Sequence, residues 1–506
     1  MYNPYLKFLY KPEARQKLKN NIGDFAHFDA DYCSKLLISK EPEFWQKAGE
    51  KMALTLFRAA AYRVPAYKDF LKRNKINPVK IKTIADFSKL PIIDKKNYLQ
   101  NYPVEKLCWD GKVEKNTLLA VSSGSSGVPF FWPRGDNLEL ETSIYHELFL
   151  RDIFGADRHS TLFIITFSMG IYIAGIITLN SVLRAAQKSY PLTVITPGIN
   201  ADDTLRVIKE MGQKYEQIIL AGYPPFVKDI LEQGEREKIN WNNFRMKFLF
   251  ATEGFSETWR DYALQKAGSK NILKDSLNIY GSADAGILGH ETPICIFLRR
   301  EMPDLFQRNN RLPTLTQYNP LLKYFEEING EAIFSCYGGI PFVRYNIHDT
   351  GGVLNFGEIA KIPPQKAFND KIWKLPFLYV FSKSDNTSSL YGVNIYPENI
   401  KTALEQAQFN KMVTGKFVMT ARNKPNNHDQ YLEINIELAE ACAASKKLLD
   451  KIRRVIIRNL QKSNLEYGRL RQSIGAKADP KIILWPQNHA KYFNPQAIKQ
   501  KWSLNP

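Results

Sequence analysis

Three stretches of this 506-residue chain have residue types and spacing suited to chemistry on a phosphorylated nucleotide. The first is Val121-Ser122-Ser123-Gly124-Ser125-Ser126-Gly127-Val128-Pro129. Its glycines let the backbone approach an anion closely, and its N–H groups and hydroxyls suit polyphosphate oxygens. No Gly-Lys-Ser/Thr follows, so it is not a Walker A loop. The second is Asn278-Ile279-Tyr280-Gly281-Ser282-Ala283-Asp284. An aromatic at a strand end suits stacking on a base. A carboxylate four residues on suits Mg2+, which takes one or two carboxylates plus phosphate oxygens. The third runs from Pro341 to Gly351 and carries Asp349 before Thr-Gly, where its carboxylate suits the two hydroxyls of a ribose. Each pattern taken singly also fits an ordinary turn, and Lys491, a lone lysine in a polar tail, says nothing by itself.

Positioning such groups requires strands that end at loops. Apolar runs at 162–167, 191–196, 216–221, 246–251 and 276–280 alternate with helical stretches. That alternation predicts a largely parallel sheet covered by helices. Residues 1–110 read as mainly helical, with Phe44, Ala48, Met52, Leu54, Phe57 and Ala60 at helical spacing over 42–66. Residues 117–131 read as strand, glycine-serine loop, strand. The pattern changes near Ser382. Beyond it lie strands at 416–420, 431–438 and 481–485 and a long helix over 443–465, a smaller α+β unit.

Composition narrows the class. Hydrophobic residues make up 44% and aromatics 12%, enough for a large core and too many for a disordered chain. The five cysteines, Cys33, Cys108, Cys295, Cys336 and Cys442, are odd in number and scattered, which argues for a reducing, cytoplasmic setting. His290, Cys295 and Cys336 are the one set with metal-ligand chemistry, but their spacing matches no zinc-finger pattern. Residues 160–183 carry no charge. That stretch is long enough to span a bilayer, yet it splits into a strand, a Ser168-Met-Gly170 turn and a helix, so no transmembrane segment is expected. The net charge is +19, and residues 386–506 hold 19 Lys and Arg against 9 Asp and Glu. A basic C-terminal part draws anionic partners such as a nucleotide, CoA or an acidic carrier protein. The aromatic-basic signatures of RNA-binding modules are missing, and no nucleic-acid partner is expected.

The order and spacing of these segments resemble the adenylate-forming superfamily of acyl-CoA synthetases, adenylation domains and luciferases, and its phenylacetate–CoA ligase branch in particular. The resemblance runs from about Tyr62 to Lys491. It includes the Leu90-Pro-Ile-Ile-Asp-Lys95 stretch, Ala221-Gly-Tyr-Pro-Pro225, Ala251-Thr-Glu253-Gly-Phe-Ser256 and, most specific to the branch, Gly392-Val-Asn-Ile-Tyr-Pro397.

The resemblance implies an α/β fold, with a large N-terminal domain of mostly parallel sheets packed by helices and a small mobile α+β C-terminal domain. The boundary is expected at 384/385. It assigns Ser122, Ser123, Gly124, Ser125, Ser126 and Gly127, with Glu253, Tyr280, Gly281, Ser282, Asp349 and Lys383, to ATP. Among these, Tyr280 matches the adenine-stacking aromatic and Asp349 the ribose carboxylate. Asp284 falls at the Mg2+ position, Asp385 at the hinge, and Lys491 matches the late lysine that bridges carboxylate and α-phosphate. The implied cofactors are ATP, Mg2+ and CoA, or a carrier protein's phosphopantetheine. The substrate would be a small carboxylic acid, with Phe167, Tyr172 and Tyr223 offered for its pocket. The chain departs from the family at Phe130, where many relatives have a lysine. Asp284 stands for Glu, Lys383 for Arg, His348 for Thr or Arg, and Ala490 for Gly. Transfer to a carrier thiol or an amine, and a non-catalytic scaffold on the same fold, are the rival readings.

Overall fold

A computed structural model of the chain describes residues 29–115, 118–121, 130–169, 173–252, 254–306, 313–359, 372–381, 388–390, 393–423, 430–493 and 502–503. The chain is mixed α/β and divides into two compact units. One comprises 1–198, 277–295 and 315–380; the other comprises 199–276, 296–314 and 381–506.

The first unit opens with helices. The periodic run expected over 42–66 is a helix, Pro42–Arg63, and Pro65 then starts a second one, Pro65–Arg73. A proline ends a helix because the residue before it is pushed to extended backbone, as Val64 is. The buried face is Trp45, Gly49, Met52, Ala53, Leu56, Phe57 and Ala60, so Phe44 and Leu54 are only half-buried. Gly49 lets the helix pack closely there, since a Cβ would come within 3.2 Å of the Pro320 ring. Strands Leu119–Val121 and Phe131–Pro133, which flank the serine-glycine sequence, pair antiparallel. The uncharged 160–183 stretch becomes strand Thr161–Ile165, paired parallel with Leu192–Ile195, and helix Ile173–Gln187. No helix among the described residues is long and apolar enough to cross a membrane.

Seven further strands of this unit lie side by side. Their order is Lys323–Ile328, Glu331–Cys336, Phe342–Leu354, Phe377–Val380, Thr314–Gln317, Gly286–His290 and Ser276–Ser282. Where register is defined among them, neighbours pair antiparallel. The expected parallel alternation therefore holds over 161–251, and antiparallel pairing takes over from Ser276.

The second unit holds the parallel pair Gln217–Gly222 and Met246–Ala251, with helices Ala201–Met211, Pro224–Arg236 and Glu257–Lys266. Its late part is a three-stranded sheet, Val413–Asn423, Gln430–Leu438 and Lys481–Trp485. Helix Lys446–Ser463 covers that sheet with Leu448, Ile452, Ile456 and Leu460. The expected helix stops at Asn464, which caps a new one, Leu465–Ile474. The joint between the earlier and later parts of this unit is polar. Lys416 Nζ lies 2.7 Å from Asp229 and 3.5 Å from Glu437. Lys228 Nζ donates to Val413 O at 2.7 Å, and Lys401 Nζ donates to Gly254 O at 2.7 Å. Ser256 hydrogen-bonds the buried Glu405 carboxylate.

The cysteines are unpaired; four are buried, and Cys442 is half-exposed. Burial pushes the thiols of Cys33, Cys108 and Cys336 up to about 12. His290 sits among the rings of Tyr145, Phe149 and Trp373, and its Nδ1 is 2.7 Å from Glu291 O. Cys295 Sγ contacts Thr292 Oγ1 at 3.4 Å. Among the described residues no group of three His, Cys, Asp or Glu is arranged to hold a metal.

Two outcomes follow from this packing. Lys416→Ala leaves Asp229 and the fully buried Glu437 without their cation, and should cost on the order of 3 kcal/mol in denaturant unfolding. Burial depresses His290 and His146 to about 4. A histidine held neutral in the fold but free to protonate when unfolded contributes stability above its ordinary value, and that contribution is lost as pH falls. Stability should therefore drop between about pH 6.5 and pH 4, by about 3 kcal/mol per histidine at full effect. The acid limb should be shallower in His290→Phe; an unchanged slope would contradict the assignment.

Candidate functional site

The site is built on a strand that turns a corner. Phe342 to Thr350 pair with Glu331–Cys336, and Gly351 to Leu354 pair with Phe377–Val380. Two irregularities bend it. Between the pairs Phe334↔Tyr345 and Cys336↔Phe342 the long strand has one residue more than its partner; between Glu331↔Thr350 and Ile333↔Asn346 it has two more. Extra residues of this kind bulge and twist a strand. Arg344 and His348 fall in these stretches with φ of 54° and 61°, a conformation that side chains other than glycine adopt at a cost. The amides released are caught by side chains. Arg344 N donates to Ser335 Oγ at 2.8 Å, and His348 N donates to Asn346 Oδ1 at 2.6 Å. Ile93, from the Leu-Pro-Ile-Ile-Asp-Lys stretch, pins the segment from outside: Ile93 N donates to Arg344 O at 3.0 Å, and Ile93 O accepts from Asn346 N at 2.8 Å.

The second wall is the hairpin of Ser276–Ser282 and Gly286–His290. Its register slips between Tyr280 and Gly281, opposite Leu288. A Cβ on Gly281 would lie 2.6 Å from Gly286 O, so this position takes only glycine without opening the hairpin. The tip is fastened at both ends: Ala285 N donates to Ser282 Oγ at 3.2 Å, and Lys323 Nζ donates to Ala285 O at 3.1 Å. Lys323 is itself fully buried and paired with buried Glu141 at 2.6 Å.

Three strands separate Ser276–Ser282, the hairpin's far strand, from the bent strand in the sheet order. In a flat sheet the two would stand about 19 Å apart, at about 4.8 Å per strand. Instead their side chains touch, so the sheet curls. Tyr280 Oη donates to Asp349 Oδ2 at 2.6 Å, and Tyr345 Oη donates to Asp284 Oδ2 at 2.7 Å. Burial and the adjacent Asp349 push the Tyr280 phenol well above its usual range. Burial and Asp284 do the same for Tyr345. Both phenols therefore act as donors to the carboxylate oxygens. His348 Nε2 lies 3.3 Å from Asp94 Oδ2, and its Nδ1 lies 3.5 Å from Glu331 Oε1. Tyr280 is partly exposed as a residue and Gly281 beside it is exposed. Asp284 is partly exposed, and its Oδ1 has no hydrogen-bond partner among the described residues. A hard cation takes such an oxygen.

The structure thus brings together Tyr280, Gly281, Ser282, Asp284 and Asp349. Phe167 is buried in the same unit, while Tyr223 is buried in the other, where it precedes helix Pro224–Arg236. Lys491 belongs to the second unit. It stands exposed on a turn tied to the late sheet by Trp485 Nε1 to Asn435 Oδ1 at 2.7 Å and Asn488 N to Glu437 Oε1 at 2.8 Å, and its Nζ lies 5.1 Å from the Tyr492 ring centre. Ser122, Ser123, Gly124, Ser125, Ser126, Gly127, Tyr172, Glu253, Lys383 and Asp385 lie outside the described residues. Beside Glu253, Thr252 has φ of 75°, a true outlier for a β-branched residue and the kind of strain that collects at working sites. Sequence reasoning missed Tyr345, Asp94, Lys323 and Glu141. The signal for Tyr345 was available, since Tyr345 precedes Asp349 by four residues just as Tyr280 precedes Asp284.

No protein-family model matches the chain. A phenylacetate–coenzyme A ligase from Aromatoleum evansii is 21% identical over 348 residues, which cover 68% of this chain and 71% of that protein. A 2-hydroxyisobutyryl-CoA ligase solved in the postadenylation state with 2-HIB-AMP superposes with a TM-score of 0.66 at 15% identity, over 93% of this chain and 92% of that one. An acyl acid amido synthetase in complex with 2,4-DB superposes with a TM-score of 0.55 at 11% identity, over 90% and 94% of the two chains. The fold is that of the adenylate-forming ligases, and these likenesses support the superfamily and its phenylacetate–CoA ligase-like branch.

Gly281→Ala should force the hairpin apart and cost about 1–3 kcal/mol in thermal unfolding. Gly330→Ala, whose Cβ meets nothing within 4 Å, bears only its φ of 77° and should cost less. Equal losses would mean that the Gly281 contact does not constrain the hairpin.

Proposed function

We propose that this chain uses ATP to activate a carboxylic acid as its acyl-AMP and then passes the acyl group to CoA. The observation that carries the reading is the meeting of Tyr280, Asp284 and Asp349 at one curled edge, in a fold shared with an acyl-CoA ligase over nine-tenths of the chain. The Tyr280 ring takes the adenine, and Asp349, gripped on one oxygen by Tyr280, accepts from the ribose hydroxyls. Asp284 takes Mg2+, which would offset the charge of the phosphates. Gly281 and Ser282, with Glu253, Lys383 and the donors of Ser122, Ser123, Gly124, Ser125, Ser126 and Gly127, surround the nucleotide.

Acid and triphosphate are both anionic, so their approach is opposed. Lys491, on its exposed turn, supplies the cation that stabilises the charge developing at the α-phosphorus. Asp385 is the hinge that withdraws Lys491 so that CoA can enter, which makes 385–506 a functional domain. Phe167, Tyr172 and Tyr223 are our candidates for recognising the acid, and their aromatic character suits an aromatic or other small acid. A reducing compartment, the cytoplasm, suits the unpaired thiols.

One observation favours a second acceptor. The likeness to an acyl acid amido synthetase keeps an amine in contention, and a carrier-protein thiol would suit the basic C-terminal part. Acyl transfer assayed from the same acid to CoA, to an amine panel and to an acidic carrier separates these.

The test of the first step is carboxylate-dependent ATP–pyrophosphate exchange over aryl, arylacetic, fatty and hydroxy acids, with Mg2+ and no CoA. Exchange should appear with at least one acid and fall about 100-fold in Lys491→Ala, with ATP binding retained. A chain that binds no ATP would overturn the reading and leave a non-catalytic scaffold.

A further inference from the structure

The segments 280–284 and 345–349 have the same pattern, a tyrosine followed four residues later by an aspartate. Each tyrosine donates to the other segment's aspartate: Tyr280 to Asp349 at 2.6 Å, Tyr345 to Asp284 at 2.7 Å. We infer that this reciprocal clasp makes Tyr345 a positioning residue, one that fixes the Asp284 carboxylate for a divalent cation without touching nucleotide or acid. The inference deepens the adenylation reading and rests on it.

Three observations distinguish Tyr345 from a core aromatic that happens to end near a carboxylate. Its ring is fully buried and cannot itself serve as a ligand face. It is stacked on Phe342, centroids 4.2 Å apart and planes 15° apart, and meets Phe334 edge-on at 5.5 Å. Its two neighbours in sequence are both bonded to Ile93. The phenol oxygen is therefore a fixed point. Asp284, by contrast, sits on a three-residue hairpin tip, where its own torsions leave the carboxylate several orientations. One hydrogen bond on Oδ2 selects an orientation and leaves Oδ1 for the cation. It also substitutes for reach. The family position usually holds Glu, and a shorter side chain has less freedom to find a cation, so its direction must be set by a neighbour. Outer partners of ligating carboxylates act in this way and matter nearly as much as the ligands.

The test measures nucleotide binding rather than turnover. Isothermal titration of the full chain with a non-hydrolysable ATP analogue, with and without Mg2+, gives the factor by which Mg2+ tightens binding; titration with AMP and no metal gives the base and ribose contribution alone. In Tyr345→Phe the Mg2+ factor should shrink about tenfold, while AMP binding stays at the wild-type value. Asp284→Asn should show the same loss, and the double variant should be no worse than Asp284→Asn alone. Phe342→Leu keeps the hydroxyl but loosens its seat, and should give a smaller loss in the same direction; it serves if Tyr345→Phe does not fold. A Mg2+ factor unchanged in Tyr345→Phe, a parallel fall in AMP binding, or additive losses in the double variant would each overturn the inference. A wild-type chain that binds no nucleotide would instead bring down the adenylation reading, and this inference with it.

Discussion

A strand that must change partners partway along its length sets the geometry of everything near it. Phe342–Leu354 leaves Glu331–Cys336 after Thr350 and joins Phe377–Val380, and the stretch before the change is bent by left-handed residues at Arg344 and His348. Such turns are unfavourable for residues with a Cβ, and they free backbone amides that need partners. The surroundings supply those partners: Ser335 and Asn346 accept the amides, Arg344 is bonded to Glu326 at 2.9 Å, and Ile93 bridges the backbone from the other side. The bend carries Tyr345 and Asp349 to the hairpin that bears Tyr280 and Asp284. Without the corner the two tyrosine–aspartate pairs would lie on strands too far apart to meet.

Much of this was legible in the residues, because its causes are local. The alternation of apolar runs with helical stretches placed the strands at 161–165, 192–195, 217–222 and 246–251 to within a residue or two. The candidate residues Tyr280, Asp284 and Asp349 were chosen from strand-end chemistry, and they do come together. What was not legible depends on long-range geometry. Nothing in a single segment says that the strand near Asp349 turns a corner, so neither Tyr345 nor Asp94 stood out as a candidate. The buried Lys323–Glu141 pair was invisible for a related reason. Its members lie 182 positions apart in the chain, and burial inverts the usual rule that charged residues face water. The helix at 42–63 shows a milder version: its existence followed from period and Met52, Phe57 and Ala60 do meet the core, but in its first two turns Trp45 and Gly49 are buried rather than Phe44 and Ala48.

The second unit is held by a different balance of forces. The three-stranded sheet and helix Lys446–Ser463 share an aliphatic core, Leu432, Ile434 and Ile436 against Ile452 and Ile456. The joint to the earlier part of that unit consists largely of lysines reaching to carboxylates and carbonyls. Apolar burial resists separation in proportion to area, whereas hydrogen-bonded ions at a joint regain water when it parts. Lys416 is the exception, because it also satisfies Glu437 inside the late sheet, so part of its contribution belongs to that sheet alone.

The buried thiols take on a different meaning beside an activated acyl group. An acyl-adenylate is a mixed anhydride that any accessible thiolate would capture. Of five cysteines, four are sealed in the interior, and three of these are held protonated to about pH 12. On the adenylation reading, a chain that makes such an intermediate has kept its interior sulfur out of the competition. The acceptor it admits then meets almost no rival thiol, and the enzyme is shielded from labelling itself with its own product.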